Sequence, residues 1–164
     1  MFAVLLWRRN VRIWALMFVF TAFGSFFGGT FHGFGGGIWW KLTVYSIGAA
    51  SLCLLLPFLR VVAIVIFVVY AAWMTLHDNF GWVIADYGVS LLLLSIVMFR
   101  RWTPMSRWVL ASGVVSIGAA VVQQMPITYH NDIYHLIQLI ALWLLYRAGT
   151  LMTSSTTPLT SQPT

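Results

Sequence analysis

Apolar residues run through this chain in six blocks, each closed by a short polar or glycine-rich break. The blocks are 13–31, 42–59, 61–76, 82–99, 108–125 and 131–148. A hydrocarbon core needs about 20 apolar residues per helix, with a range of roughly 17 to 25. The pattern therefore predicts an all-α polytopic membrane protein, a six-helix transmembrane bundle over residues 1–149. The breaks differ in chemistry. His32-Gly-Phe-Gly-Gly-Gly37 is a glycine-rich turn that no helix is expected to continue through. Pro57 and Arg60 part the second block from the third, and His77-Asp78-Asn79-Phe80-Gly81 ends the third. A basic loop from Arg100 to Arg107 follows the fourth, and Pro126 breaks the fifth. The Ser-, Thr- and Pro-rich stretch 150–164 predicts a disordered cytoplasmic tail.

Composition supports the membrane reading. The chain is 61% hydrophobic and 7% charged. A soluble domain carries roughly 25% charged residues, so no water-facing surface can be built from this sequence. The net charge of +6 would suit nucleic acid, but the basic residues sit between apolar blocks. They read as topology signals, and no nucleic-acid partner is expected. Arg8, Arg9 and Arg12 before an apolar run imitate a signal peptide, with Gly24-Ser25 as a cleavage region. The membrane length of that run and the blocks that follow favour a retained first helix. Six spans put both termini on one side, and of the nine basic residues all but Lys41 fall there. The positive-inside rule then places both termini in the cytoplasm, as in an integral protein of a bacterial inner membrane. Cys53 is the one cysteine, which excludes an intrachain disulfide and a multi-cysteine metal site.

The same topology gathers every histidine and carboxylate at the non-cytoplasmic end: His32, His77, Asp78, Asp86, His130, Asp132 and His135. The segment from Thr128 to Gln138 is the densest part of that cluster. Asp86 lies about one turn inside its run and needs a partner or a wet pocket. On the sixth span Asn131 and His135 are i,i+4, and Asp132 and His135 are i,i+3, so they share a face. His130 joins His135 at a common ligand only from the non-helical entry to that helix. Imidazoles from three helix ends suit a catalytic zinc, which takes three protein ligands and leaves a position for water. Carboxylates beside them suit acid–base work or support of the ligands. Two alternatives stay open. Two histidines could ligate one haem axially, or the cluster could be a purely structural polar network in a non-catalytic protein.

Two motifs resemble those of the membrane hydrolases that include alkaline ceramidases and adiponectin receptors. Gly28-Gly-Thr-Phe-His32 is similar to that superfamily's Ser-x-x-Phe-His element, and Asn131-Asp-Ile-Tyr-His135 to its His-x-x-x-His element. Those proteins have seven spans and a zinc held by three histidines near one face. Dropping their first span leaves six in the matching orientation. Gly28 stands where the superfamily has serine, so that hydroxyl would come from Thr30 or Ser25, or be absent. Asn131 replaces a histidine, with His130 displaced by one. The aspartate that follows the first histidine is missing, and Asp78 or Asp86 would stand in. The chain is also similar to small bacterial six-span membrane proteins, which imply no activity.

The resemblance implies a zinc-dependent hydrolase of a lipid amide or ester at the non-cytoplasmic face. His32, His130 and His135 would hold the metal, with His77 as a spare ligand. Asp86 and Asp78 would be catalytic, and Asn131, Asp132, Thr30 and Gln138 would support them.

Overall fold

A computed structural model describes residues 1–126 and 128–152. Among the described residues there are seven helices: α1 Phe2–Arg8, α2 Arg12–Phe34, α3 Gly37–Leu55, α4 Arg60–Leu76, α5 Phe80–Arg101, α6 Ser106–Gln123 and α7 His130–Thr150. Each of the six apolar blocks forms a helix, though α3 and α6 stop at Leu55 and Gln123, short of the ends of their blocks, and α1 is an addition. The expected tail lies outside the described residues from 153 onward. Four helices (α2, α3, α5 and α6) are long and apolar enough to cross a membrane, while α4 is a shorter apolar helix of 17 residues. The molecule is an all-helical integral membrane bundle.

The glycine-rich break is shorter than its sequence suggests. Helix α2 continues through His32 and Gly33 to Phe34, and only Gly35 and Gly36 turn, at φ 70° and 95°. Those angles lie where glycine carries no Cβ penalty. Stacking across the turn favours the extension: Phe27 packs on Trp39 and Phe31 on Trp40, with ring centroids 5.9 and 5.1 Å apart. A single helical glycine costs only about 1 kcal/mol against alanine, so such contacts can override it. His32 is consequently a helical residue.

Helix α3 is central, packing on α2, α4 and α5; α5 then packs on α6, and α6 on α7. The series α2-α3-α5-α6-α7 is an arc whose two ends are joined by α1, which touches both α2 and α7. Leu6, Trp14, Leu54, Leu94 and Leu145 are fully buried in the core beneath α1. Gly149 lets this end close, because a Cβ there would stand 3.0 Å from Trp14 and 3.1 Å from Leu6. Trp14 Nε1 donates to the Leu54 carbonyl at 3.2 Å. That carbonyl belongs to the last turn of α3, which has no helical partner of its own.

A smaller cluster of Val44, Tyr70, Met74 and Val83 ties α3, α4 and α5 together. Tyr70 donates its hydroxyl to the Val44 carbonyl at 2.9 Å. Gly48 makes the approach possible, since a Cβ there would fall 2.4 Å from the Tyr70 ring. Val61, Val65, Val68 and Val69 on α4, and Val114 and Ile117 on α6, are more than half exposed. An apolar exterior of this kind belongs in lipid, where only polar groups need be hidden.

Candidate functional site

Helices α2 and α7 run antiparallel, so the C-terminal end of α2 and the N-terminal end of α7 lie at the same end of the bundle. That end is opposite α1. Between them lies a cleft of about 1220 Å³, backed by α3, α5 and α6. Small residues on α2 shape it. Gly24 and Gly28 sit against Ile47 and Thr43 of α3, while a Cβ on Gly29 or Gly33 would meet nothing within 4 Å. Ligand pockets commonly measure roughly 300–1,000 Å³, so this one exceeds what a compact small molecule needs.

The cleft is graded in polarity. Its mouth carries His32 from α2, and Asn131, Asp132, His135 and Gln138 from α7. Its depth is mainly apolar, with Leu91, Leu110, Leu139 and Leu142 beside the hydroxyls of Thr21 and Ser95 and the Tyr87 phenol. The grading follows from helix register: polar residues occupy the first turns of α7, and leucines the turns below. Both histidines are solvent-exposed, each against an aromatic neighbour; His32 meets Phe31 edge-on at 5.6 Å and His135 meets Tyr134 at 5.1 Å. Two buried serines seat α7. Ser112 Oγ donates to the Ala141 carbonyl at 2.9 Å, and Ser116 Oγ to Gln138 Oε1 at 3.4 Å.

The remaining expected site residues lie elsewhere. His130 is the first residue of α7, helical rather than in a non-helical entry, and does not line the cleft. Thr30 turns its hydroxyl back to the Phe26 carbonyl at 2.9 Å. His77 stacks flat on Trp73, centroids 3.8 Å apart, with Nδ1 3.0 Å from the Trp73 carbonyl oxygen. Asp78 pairs with Lys41 at 2.7 Å, and the same ammonium donates to the Met74 carbonyl at 2.6 Å. Lys41 thereby caps the C-terminal end of α4, where unpaired carbonyls and the helix dipole favour a cation. Asp86 sits nearly two turns into α5, not one, because α5 begins at Phe80. It is buried, faces Ser51 of α3, and does not line the cleft.

Among the described residues, no three His, Cys, Asp or Glu side chains come together in a way that could hold a metal ion. The cleft brings together two of the four histidines, with Asp132, Asn131 and Gln138. Sequence reasoning did not single out Ser112, Ser116 or Tyr134. The signal for the serines was present: hydroxyls four residues apart in an apolar run mark one face of a helix.

An all-helical membrane bundle with a deep apolar cleft and a polar mouth is the class that fold and site define. The chain belongs to the family of unknown function DUF6962, which it matches over residues 1–154. No curated protein and no solved structure matches it.

Proposed function

We propose that this protein binds a membrane amphiphile in the cleft between α2 and α7. An acyl chain would lie along Leu91, Leu139 and Leu142, with an amide or ester head at His32, Asn131, Asp132 and His135. The carrying observation is the grading of a cleft of about 1220 Å³ from a polar mouth to an apolar depth. Imidazole, carboxylate and carboxamide groups offer both donors and acceptors to such a head. In this reading α4 and α7 also cross the bilayer. Six crossings then leave both termini in the cytoplasm, and the cleft mouth opens on the other face.

Hydrolysis of the bound amide or ester is a narrower proposal, supported by His32 and His135 lining one cleft beside Asp132. Imidazole is the usual side chain for acid–base catalysis near neutral pH. The described residues do not bring three metal ligands together, and the acid–base groups of this proposal are the two imidazoles and the Asp132 carboxylate.

Purified full-length protein titrated with a fluorescent long-chain fatty amide tests both readings. Saturable binding is expected, weakened in His135→Ala and His32→Ala, with turnover of the amide only under the narrower proposal. Binding unchanged in both variants would sink the amphiphile reading. One zinc per chain, lost in both variants, would restore the metallohydrolase expected from the sequence. A visible haem band lost in the same way would replace both.

A further inference from the structure

Behind the cleft wall, the α3–α5 interface holds three buried oxygen-bearing side chains that the cleft does not use. Asp86 is 7% exposed, Ser51 2% and Ser90 0%. Asp86 and Ser90 are four residues apart, on one face of α5. Ser51 faces the Asp86 carboxyl from α3, near enough to interact with it but short of a well-formed hydrogen bond. Yet Asp86 Oδ2, Ser51 Oγ and Ser90 Oγ complete no hydrogen bond among the described residues. Buried polar atoms are paired in the great majority of cases, and each exception calls for a cause such as an ion.

Nearby groups do not supply the missing partner. Tyr70 is within electrostatic reach of Asp86, but its hydroxyl hydrogen is given to the Val44 carbonyl. Lys41, the one lysine of the chain, is committed to Asp78 and to the end of α4. A buried carboxylate without a counter-charge is strongly unfavourable in a membrane interior.

We propose that Asp86, Ser51 and Ser90 form a binding site for a small monovalent cation, with sodium the ion it suits. Carboxylate and hydroxyl oxygens are hard donors, which favour hard cations over zinc or copper. A single carboxylate neutralises one positive charge. A divalent ion would leave a net charge in a low-dielectric interior, where uncompensated charge is most costly. The site does not depend on what the cleft binds.

The test uses purified full-length protein in detergent at constant ionic strength, with sodium chloride exchanged for choline chloride. The melting midpoint should rise with sodium and saturate, and radioactive sodium should bind at about one per chain. Asp86→Asn should abolish both responses. Ser90→Ala and Ser51→Ala should each raise the half-saturating sodium concentration about tenfold, as expected on removing one polar contact to a charge. The serine variants keep the question answerable if Asp86→Asn fails to fold. A wild type that melts alike in sodium and choline, and binds no radioactive sodium, would overturn the site. So would serine variants with the wild-type sodium response.

Discussion

Lys41 Nζ lies 2.7 Å from an Asp78 carboxylate oxygen and 2.6 Å from the Met74 carbonyl oxygen, so one ammonium serves an ion pair and a helix end together. The two partners are unequal. Asp78 is 69% exposed and Lys41 28%, which leaves the carboxylate largely screened by water. Asp78→Asn should therefore cost under about 1 kcal/mol. Lys41→Met removes the cap as well, at about 1.5–3 kcal/mol for a charge-assisted hydrogen bond. Thermal melts of the two variants should rank them in that order. Equal losses would mean that the cap contributes nothing.

Gly48 lies directly beneath the Tyr70 ring. Gly48→Ala should destabilise the α3–α4 contact by about 1–3 kcal/mol, the usual result of overpacking. Combined with Tyr70→Leu, which removes the ring carbons that the new methyl would strike, the two losses should add to less than their sum. Strict additivity in denaturation measurements would place the strain elsewhere.

Trp14 reaches across the core to the Leu54 carbonyl. Trp14→Phe keeps most of the ring but leaves that buried acceptor without its donor. A loss of about 1–3 kcal/mol is expected from the orphaned carbonyl, read as a lower melting midpoint. A variant as stable as the wild type would show that the α3 end is satisfied without Trp14.

Gly29 faces open space in the cleft, so Gly29→Leu should fit without a clash and fill the volume with a side chain. Helix propensity changes in its favour by a few tenths of a kcal/mol or more. Binding of the fluorescent amide should fall while the melting midpoint holds or rises. Unaltered binding would exclude this cleft as the site, and a destabilised protein would show that Gly29 packs on something.

Sidedness is open to a direct check. With six crossings, all basic residues but Lys41 would lie at the breaks on the N-terminal side, so a reporter fused after Thr164 should be active only if it functions in the cytoplasm. Activity of a periplasm-dependent reporter at that position would remove the six-crossing arrangement.

The helices were legible because their cause is local: each apolar block carries its own length and its own breaks, and backbone groups in lipid must be satisfied within the helix. That His32 and His135 line one cleft was legible in part, since alternating helix direction sends both to one end of the bundle. The facing of individual side chains was not. His77 shares that end yet lies flat on Trp73, and Asp86 turns toward Ser51 of α3 rather than into the cleft. Sequence fixes a residue's depth along its helix, but its direction around the axis depends on which neighbours the helix packs against. The extension of α2 through Gly33 has the same origin, because aromatic stacking from Trp39 and Trp40 on another helix offsets a local preference to stop. The cleft itself belongs wholly to the tertiary structure. It exists because α1 joins α2 to α7 at one end and leaves them apart at the other, a consequence of packing between helices far apart in the chain.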